Sequence, residues 1–213
     1  MSNQATMRVR LTYSKMGYLR FTGHLDMQRL WERAFRRSNL PMYYSQGFSP
    51  KVRLNLASAL PLGITSDCEV IDFWLAQSLS IDQIQAAISP TLPSDMTIKE
   101  IIEVSLSLPA IQTLIIESEY QVTVPPSIDF EGLKLRINEF LTKSEVLRIR
   151  RDKSYNLRPL VHELNTYVQT GFPILFMRLN AQEGATGRPD ELLSQLGIDP
   201  YSCDIHRLSL IYK

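Results

Sequence analysis

The order in which hydrophobic periodicities follow one another constrains the fold of this 213-residue chain more than any other feature. Apolar and polar residues alternate where a half-buried strand is expected, and apolar residues recur at helical spacing where an amphipathic helix is expected. In the first half these patterns predict, in order, strand 8–13, helix 25–38, strands 52–56 and 69–75, helix 81–88 and strand 97–104. Residues 18–21 are expected to extend the first strand. The order β-α-β-β-α-β is that of a ferredoxin-like module.

A similar order recurs in the second half of the chain. Its predicted elements are, in order, strand 119–124, helix 130–141, strands 146–151 and 174–179, helix 189–196 and strand 206–212. Residues 155–168 fit either a helix or a strand, and 105–117 are expected to form an apolar connector. The sequence therefore predicts an α+β protein of two tandem ferredoxin-like modules with antiparallel sheets, residues 1–107 and 108–213, the second with an insertion around 151–162.

Charge is divided unevenly between the two ends of the chain. The formal net charge is +1, yet residues 1–60 contain ten basic and two acidic side chains, and the remaining residues contain 13 basic and 20 acidic ones. An asymmetry of this size is typical of a protein whose basic end faces a polyanion. The alternative is a solvated basic helix that is balanced by acidic groups elsewhere in the fold.

Several classes of site are not supported by the residues present. The two cysteines and three histidines are far apart in sequence, show no zinc-ligand spacing, and cannot supply three cysteine ligands for an iron–sulfur cluster. No glycine-rich phosphate loop of the P-loop type and no nucleophile elbow occurs. We therefore expect no metal and no cofactor, and a binding module rather than a self-sufficient enzyme.

The chain is expected to be cytoplasmic. Residues 1–7 lack the basic start and the apolar run of a secretory signal, and no apolar stretch approaches the ~20 residues that cross a bilayer. Two isolated cysteines suit a reducing compartment. No membrane partner is therefore predicted.

The predicted helix 25–38 carries the clearest candidate binding surface. On a helical wheel its apolar residues share one side and four arginines share the other. Guanidinium groups pair bidentately with phosphate, so arginines at helical spacing predict contacts to an RNA backbone. Two basic residues beyond the helix are expected to extend the line, so the candidate RNA-binding cations are Arg29, Arg33, Arg36, Arg37, Lys51 and Arg53. The alternative is a polar face that meets only water.

His24 and Asp26 at the start of the same helix form a weaker candidate site. A helix N-terminus attracts anions, and a histidine placed there and oriented by an aspartate could act as a general acid or base. The alternative is local, since Asp26 also favours the helix dipole and His24 then has no chemical role.

The loop 44–51 is the third candidate. Gly47 allows a backbone conformation that is closed to other residues, and Tyr44 and Phe48 could stack on unpaired RNA bases beside the arginines. We expect the loop to return along the helix and to meet its start near His24. The alternative is that Phe48 fills part of the core.

A glycine-containing turn precedes the helix predicted over 189–196. Gly184 and Gly187 could cradle a phosphate there, and entry into the helix explains them equally well. The sequence leaves both interpretations open.

Several segments of the chain resemble those of a bacterial family. The longest are LRFTGHLDMQRLWERAFRRSNLP (19–41) and YSQGFSPKVRLNLASALPLGITSDCE (44–69), with weaker matches at NLRP (156–159), GRPDELL (187–193) and IHRLSLIY (205–212). In these segments the chain resembles the radical SAM-linked proteins, a bacterial domain found beside or fused to radical SAM enzymes. The resemblance implies a radical SAM enzyme as a partner.

Three functions remain open at this point. The first is a non-catalytic accessory module of a radical SAM enzyme, which binds RNA or presents an RNA substrate through its basic helix face. The second is a metal-independent RNA endonuclease that uses His24 with a tyrosine such as Tyr44. The third is a scaffold that binds protein alone.

Overall fold

The computed structural model of the protein describes residues 4–150, 152–182 and 184–213. It is a mixed α+β structure with mostly antiparallel sheet, which confirms the α+β class and the antiparallel sheet of the prediction. The chain divides into two compact units, Met1–Leu114 and Ile115–Lys213, which we call unit 1 and unit 2. The prediction placed this division between residues 107 and 108.

Unit 1 contains four strands and two α-helices among its described residues. They are β1 (Met7–Lys15), α1 (His24–Ser38), β2 (Leu54–Leu56), β3 (Thr65–Leu75), α2 (Ile81–Ile88) and β4 (Met96–Val104). β1 pairs with β3 on one side and β4 on the other, and β2 pairs with the far side of β3, all antiparallel. The strand order within the unit is therefore β4-β1-β3-β2.

The prediction that residues 18–21 extend the first strand is wrong. The chain turns instead into a 3-10 helix at Gly17–Phe21. Gly17 has a left-handed φ of +50°, and the Tyr18 amide donates to the Asp95 carboxylate at 2.8 Å. A Cβ at Gly17 would lie 2.5 Å from the Asp95 carboxyl carbon, so only glycine permits this close turn.

The core of unit 1 lies between one face of the sheet and α1. Trp31 packs edge-on against Tyr13 of β1 with ring centroids 5.0 Å apart, and Phe35 packs against Phe73 of β3 at 4.6 Å. All four side chains are buried. Burial of each such ring contributes roughly 1.5–3 kcal/mol, which explains why the apolar stripe of α1 fixes the helix on the sheet.

The opposite face of β1 carries a buried ion cluster. Arg8 and Arg10 both pair with the Asp72 carboxylate of β3, at 2.6 and 2.8 Å. Arg8 also donates to the backbone carbonyls of Leu108 and Pro109, so the segment after β4 lies over this face. These two arginines are therefore internal, although the sequence counts them in the basic end of the chain.

Unit 2 contains six strands and two helices among its described residues. They are β5 (Ile115–Thr123), α3 (Phe130–Thr142), β6 (Leu147–Arg150), β7 (Lys153–Asn156), β8 (Val161–Gln169), β9 (Phe172–Asn180), α4 (Pro189–Gln195) and β10 (Asp204–Tyr212). The main antiparallel sheet of the unit has the order β10-β5-β9-β8. β6 and β7 pair only with each other and form a separate hairpin.

Three predictions in this half are corrected. The strand predicted over 146–151 is β6, which lies in the hairpin and not in the main sheet; its predicted last residue is outside the described residues. The ambiguous segment 155–168 holds the end of β7, a 3-10 turn at Arg158–Leu160 and most of β8. The expected connector 105–117 ends earlier, because β5 begins at Ile115.

No helix in the part of the chain that the structure describes is both long enough and apolar enough to cross a membrane.

Candidate nucleic-acid interface

Helix α1 presents its arginines because its two ends and its apolar stripe are fixed. It begins after Gly23, whose carbonyl accepts from the Met27 amide at 2.9 Å, and it ends at Asn39, which adopts a left-handed conformation at φ 55°. Its buried side is formed by Met27, Trp31, Ala34 and Phe35. The four predicted arginines lie on the other side and all are exposed, at Arg29, Arg33, Arg36 and Arg37.

Two of these arginines have internal contacts and two do not. Arg29 pairs with Asp26 at 3.1 Å, one turn earlier, in an exposed pair of the kind that contributes little to stability. Arg37 donates to the Thr91 carbonyl at 2.8 Å. Arg33 and Arg36 have no hydrogen-bond or ion-pair partner among the described residues. The face therefore carries at least two guanidinium groups whose donors are all available.

An open groove of about 550 Å³ runs between α1 and residues 90–93. Leu30 and Leu92 contribute apolar surface to it, and its polar lining is formed by Thr22, Asp26, Arg29, Arg33, Arg37 and Thr91. The Arg37–Thr91 hydrogen bond joins the two walls. The arginine face is thus one wall of a groove and not an isolated convex surface.

His24 does not face this groove. It is exposed and lines a small cavity with Tyr13, Lys15 and Glu69 at the start of β3. That cavity measures about 10 Å³, which is room for about one water molecule. Lys15 is buried there and donates to the Thr22 carbonyl at 2.8 Å. This cavity is too small to hold a substrate.

The loop 44–51 is an exposed hairpin tip. Tyr44 bridges to Val52, and the Ser45 amide donates to the Lys51 carbonyl at 2.8 Å. Phe48 is fully exposed, at 110%. The interpretation of Phe48 as a core residue is therefore excluded.

The loop lies at the C-terminal end of β3, and the start of α1 lies near the middle of that strand. The Tyr43 amide donates to the Trp74 carbonyl and Met42 bridges to Leu75, which places the loop at the end of β3. His24 lies beside Glu69, six residues and roughly 20 Å earlier along the strand. The predicted meeting of loop and helix start is wrong, and His24 and Tyr44 are not brought together as an acid–base pair.

Arg53 does not extend the arginine line of α1. Its guanidinium lies over the Trp74 ring at 4.5 Å. Neighbouring residues of a strand face opposite ways, and Phe73 faces α1, so Trp74 and Arg53 lie on the other face of the sheet. Lys51 is exposed in the loop beside Phe48. The predicted binding residues therefore form two surfaces, the α1 groove and the hairpin tip.

The sequence pattern missed three exposed apolar residues beside α1. Tyr18, Phe21 and Leu25 lie in the 3-10 helix and the first turn of α1, with 87%, 66% and 67% of their surfaces exposed. A strand over 18–21 would have buried every second residue. The sequence signal that could have identified these exposed residues is Gly17, which directly precedes Tyr18.

No three His, Cys, Asp or Glu side chains come together to hold a metal ion in the described parts of the chain. Both cysteines are free. The expectation that the protein binds no metal stays a prediction.

Comparison with known proteins gives one family and one fold. The model of a family described as an uncharacterized protein conserved in bacteria, DUF2344, matches residues 8–189. No curated protein sequence matches the chain.

Among solved structures, a chain of a Cbf5–Nop10–Gar1 complex is similar over 96% of this chain, with 10% identity and a TM-score of 0.51. The match covers 49% of that chain, so this protein spans about half the length of its structural relative. The likeness concerns the fold alone. A candidate transcriptional repressor of the glycine cleavage system is similar with 11% identity, over 97% of this chain and 98% of that chain, and its TM-score of 0.27 carries no argument.

Proposed function

We propose that this chain, which belongs to DUF2344, a family of uncharacterized proteins conserved in bacteria, is a non-catalytic RNA-binding module. Its proposed contact surface is the arginine face of α1. The observation that carries the proposal is the exposure of all four arginines of this helix on one side, where Arg29, Arg33 and Arg37 also line a groove. A fold that only needed a soluble helix would be served by lysine, glutamate or glutamine as well. Arginine is the side chain that recognises phosphate bidentately.

Single-stranded RNA is the ligand that this surface fits best. Tyr18 and Phe21 are exposed next to the start of α1, and aromatic rings at the end of a basic groove can stack on unpaired bases. The arginines contact phosphates in this proposal and the rings contact bases. Such binding has little sequence preference, because every base has a face that stacks.

The proposal also includes a partner enzyme and a ferredoxin-like fold for each of the two units. The resemblance of 19–41 and 44–69 to radical SAM-linked proteins supports a radical SAM enzyme as partner, to which this chain presents RNA. The element orders of units 1 and 2, and their sheet orders, support two ferredoxin-like modules. An RNA partner and two free cysteines both fit a cytoplasmic location.

The test is retention of a short single-stranded RNA on a filter at several salt concentrations. Four phosphate contacts give a log–log slope of about −2.8, at roughly −0.7 for each contact. The double variant Arg33→Glu/Arg36→Glu removes the two arginines that have no internal partner, so the slope is expected to fall to about −1.4. Its urea midpoint should stay near that of the wild type, because exposed changes usually cost within about 0.5 kcal/mol.

The matched control is Lys134→Glu/Lys143→Glu, which changes the net charge equally at two positions, one in α3 and one directly after it. It should keep the wild-type slope. Equal retention by the Arg33→Glu/Arg36→Glu variant and the control would contradict the proposal. Cleavage of the RNA would contradict the non-catalytic part, and retention of no RNA by the wild type would favour a scaffold that binds protein alone.

A further inference from the structure

Unit 2 contains a second basic cleft that the α1 proposal does not use. It has a volume of about 580 Å³, within the range of roughly 300–1,000 Å³ that holds small ligands. One wall is the β6–β7 hairpin and the other is the loop that leads into α4. Its lining residues include three cations, Arg150, Lys153 and Arg188, and no carboxylate among the described residues.

Two of these cations face each other across the hairpin. In the β6–β7 register Arg150 lies directly opposite Lys153. Like charges directly opposite across strands destabilise a hairpin. Neither side chain has a hydrogen-bond or ion-pair partner among the residues that the structure describes. A pair placed against its own stability and left without a counterion is the main sign of an anionic ligand.

The two carboxylates of α4, Asp190 and Glu191, are already engaged. Arg148 and Tyr155 form the next cross-strand pair on the same face of the hairpin. Glu191 pairs with Arg148 at 3.1 Å and accepts a hydrogen bond from Tyr155. On the other wall, Asp190 pairs with Arg188 at 2.7 Å. No acidic group is therefore left over on α4 to neutralise the first pair.

The loop on the other wall is held in place by glycine. Gly187 donates to the Asn180 carbonyl at 2.7 Å, and a Cβ there would lie 2.9 Å from the Leu160 carbonyl oxygen. Gly184 is left-handed, at φ 82°. The cleft is thus fixed by the packing of its loop before any ligand arrives.

We propose that this cleft binds a phosphate group, of a free nucleotide or of an RNA strand, through Arg150 and Lys153. Phosphate supplies the acceptor-rich anion that the unpaired donors lack. The site lies within unit 2 and does not depend on the α1 face. It also gives a shared role to the segments 156–159 and 187–193, which the α1 proposal leaves unused.

The experiment measures binding of AMP and of inorganic phosphate by titration calorimetry, and retention of a short single-stranded RNA on a filter. The variant is Lys153→Glu, which turns the repulsive pair into an attractive one. It should lower the affinity by about tenfold or more while the urea midpoint stays the same or rises. Lys143→Glu, directly after α3, is the control and should leave both the affinity and the urea midpoint unchanged.

The two sources of phosphate separate in this experiment. AMP binding that Lys153→Glu abolishes, and that Arg33→Glu/Arg36→Glu leaves intact, identifies a nucleotide site even if the α1 proposal fails. RNA retention that Lys153→Glu weakens, without AMP binding, identifies a contact to an RNA strand. If Lys153→Glu lowers the midpoint, Arg150→Gln is used in its place. Unchanged binding of all three probes in the well-folded variant overturns the proposal.

Discussion

Replacing Asp72 by asparagine is expected to destabilise unit 1 severely. The Asp72 carboxylate is completely buried, with 0% of its surface exposed, and it accepts four hydrogen bonds from Arg8 and Arg10. Asparagine keeps one acceptor oxygen, loses the charge, and turns an NH₂ group toward guanidinium donors. Arg8 is itself buried, so its charge would remain in the interior without a counterion.

The expected loss of stability follows from Arg8, whose charged side chain stays buried in the variant. Arg8 still donates to the carbonyls of Leu108 and Pro109 in the variant, and these bonds hold its guanidinium away from water. Breaking a buried pair by removing one partner costs about 3–5 kcal/mol. With a urea slope of about 2 kcal/mol per molar, the unfolding midpoint should fall by roughly 2 M.

The assay is urea unfolding followed by circular dichroism, with Asp67→Asn as the control. Asp67 pairs with Lys99 at 3.0 Å, and both side chains are about half exposed. Loss of that pair should cost less than about 1 kcal/mol, although the same carboxylate is changed to the same amide. A shift as small for Asp72→Asn as for Asp67→Asn would refute the reasoning that Arg8 is trapped.

Two further predictions concern single side chains. Phe48→Ala should leave the free energy of unfolding in urea within about 0.5 kcal/mol of the wild type, since the ring is fully exposed. If the hairpin tip stacks on a base, the same variant weakens RNA retention by about 1–3 kcal/mol. Burial and the neighbouring Glu191 charge raise the pKa of Tyr155. Its contribution to stability is therefore present below the unfolded pKa near ~10 and is lost as pH rises through the higher folded pKa. The fall in urea midpoint at alkaline pH should be shallower in Tyr155→Phe than in Tyr201→Phe, whose ring is exposed.

The helices were predictable because their patterns are long and their faces are distinct. The apolar stripe of α1 contains Met27, Trp31 and Phe35, and it repeats over enough turns to exclude a strand. The exposure of the four arginines follows from the same wheel. This part of the candidate site is a consequence of local spacing, which the sequence contains.

The errors fall where the structure depends on partners distant in the chain. The 3-10 helix at Gly17–Phe21 needs the Asp95 carboxylate, which is far away in sequence. The β6–β7 hairpin has only four residues in each strand, and nothing in its alternation distinguishes it from a strand of the main sheet. The position of loop 44–51 depends on its pairing with the end of β3. Local periodicity contains none of this information.

The same distinction decides which basic residues can bind a ligand. A charge count treats all arginines alike, but pairing between distant strands neutralises some and leaves others. Those that pair with a described carboxylate include Arg8, Arg10, Arg29, Arg148, Arg178 and Arg188. The cations without an internal partner among the described residues include Arg33 and Arg36 on α1 and Arg150 and Lys153 on the β6–β7 hairpin. Because an unpaired surface cation gains most from a phosphate, we expect the binding energy for such a ligand to come from these two pairs and not from the overall excess of positive charge.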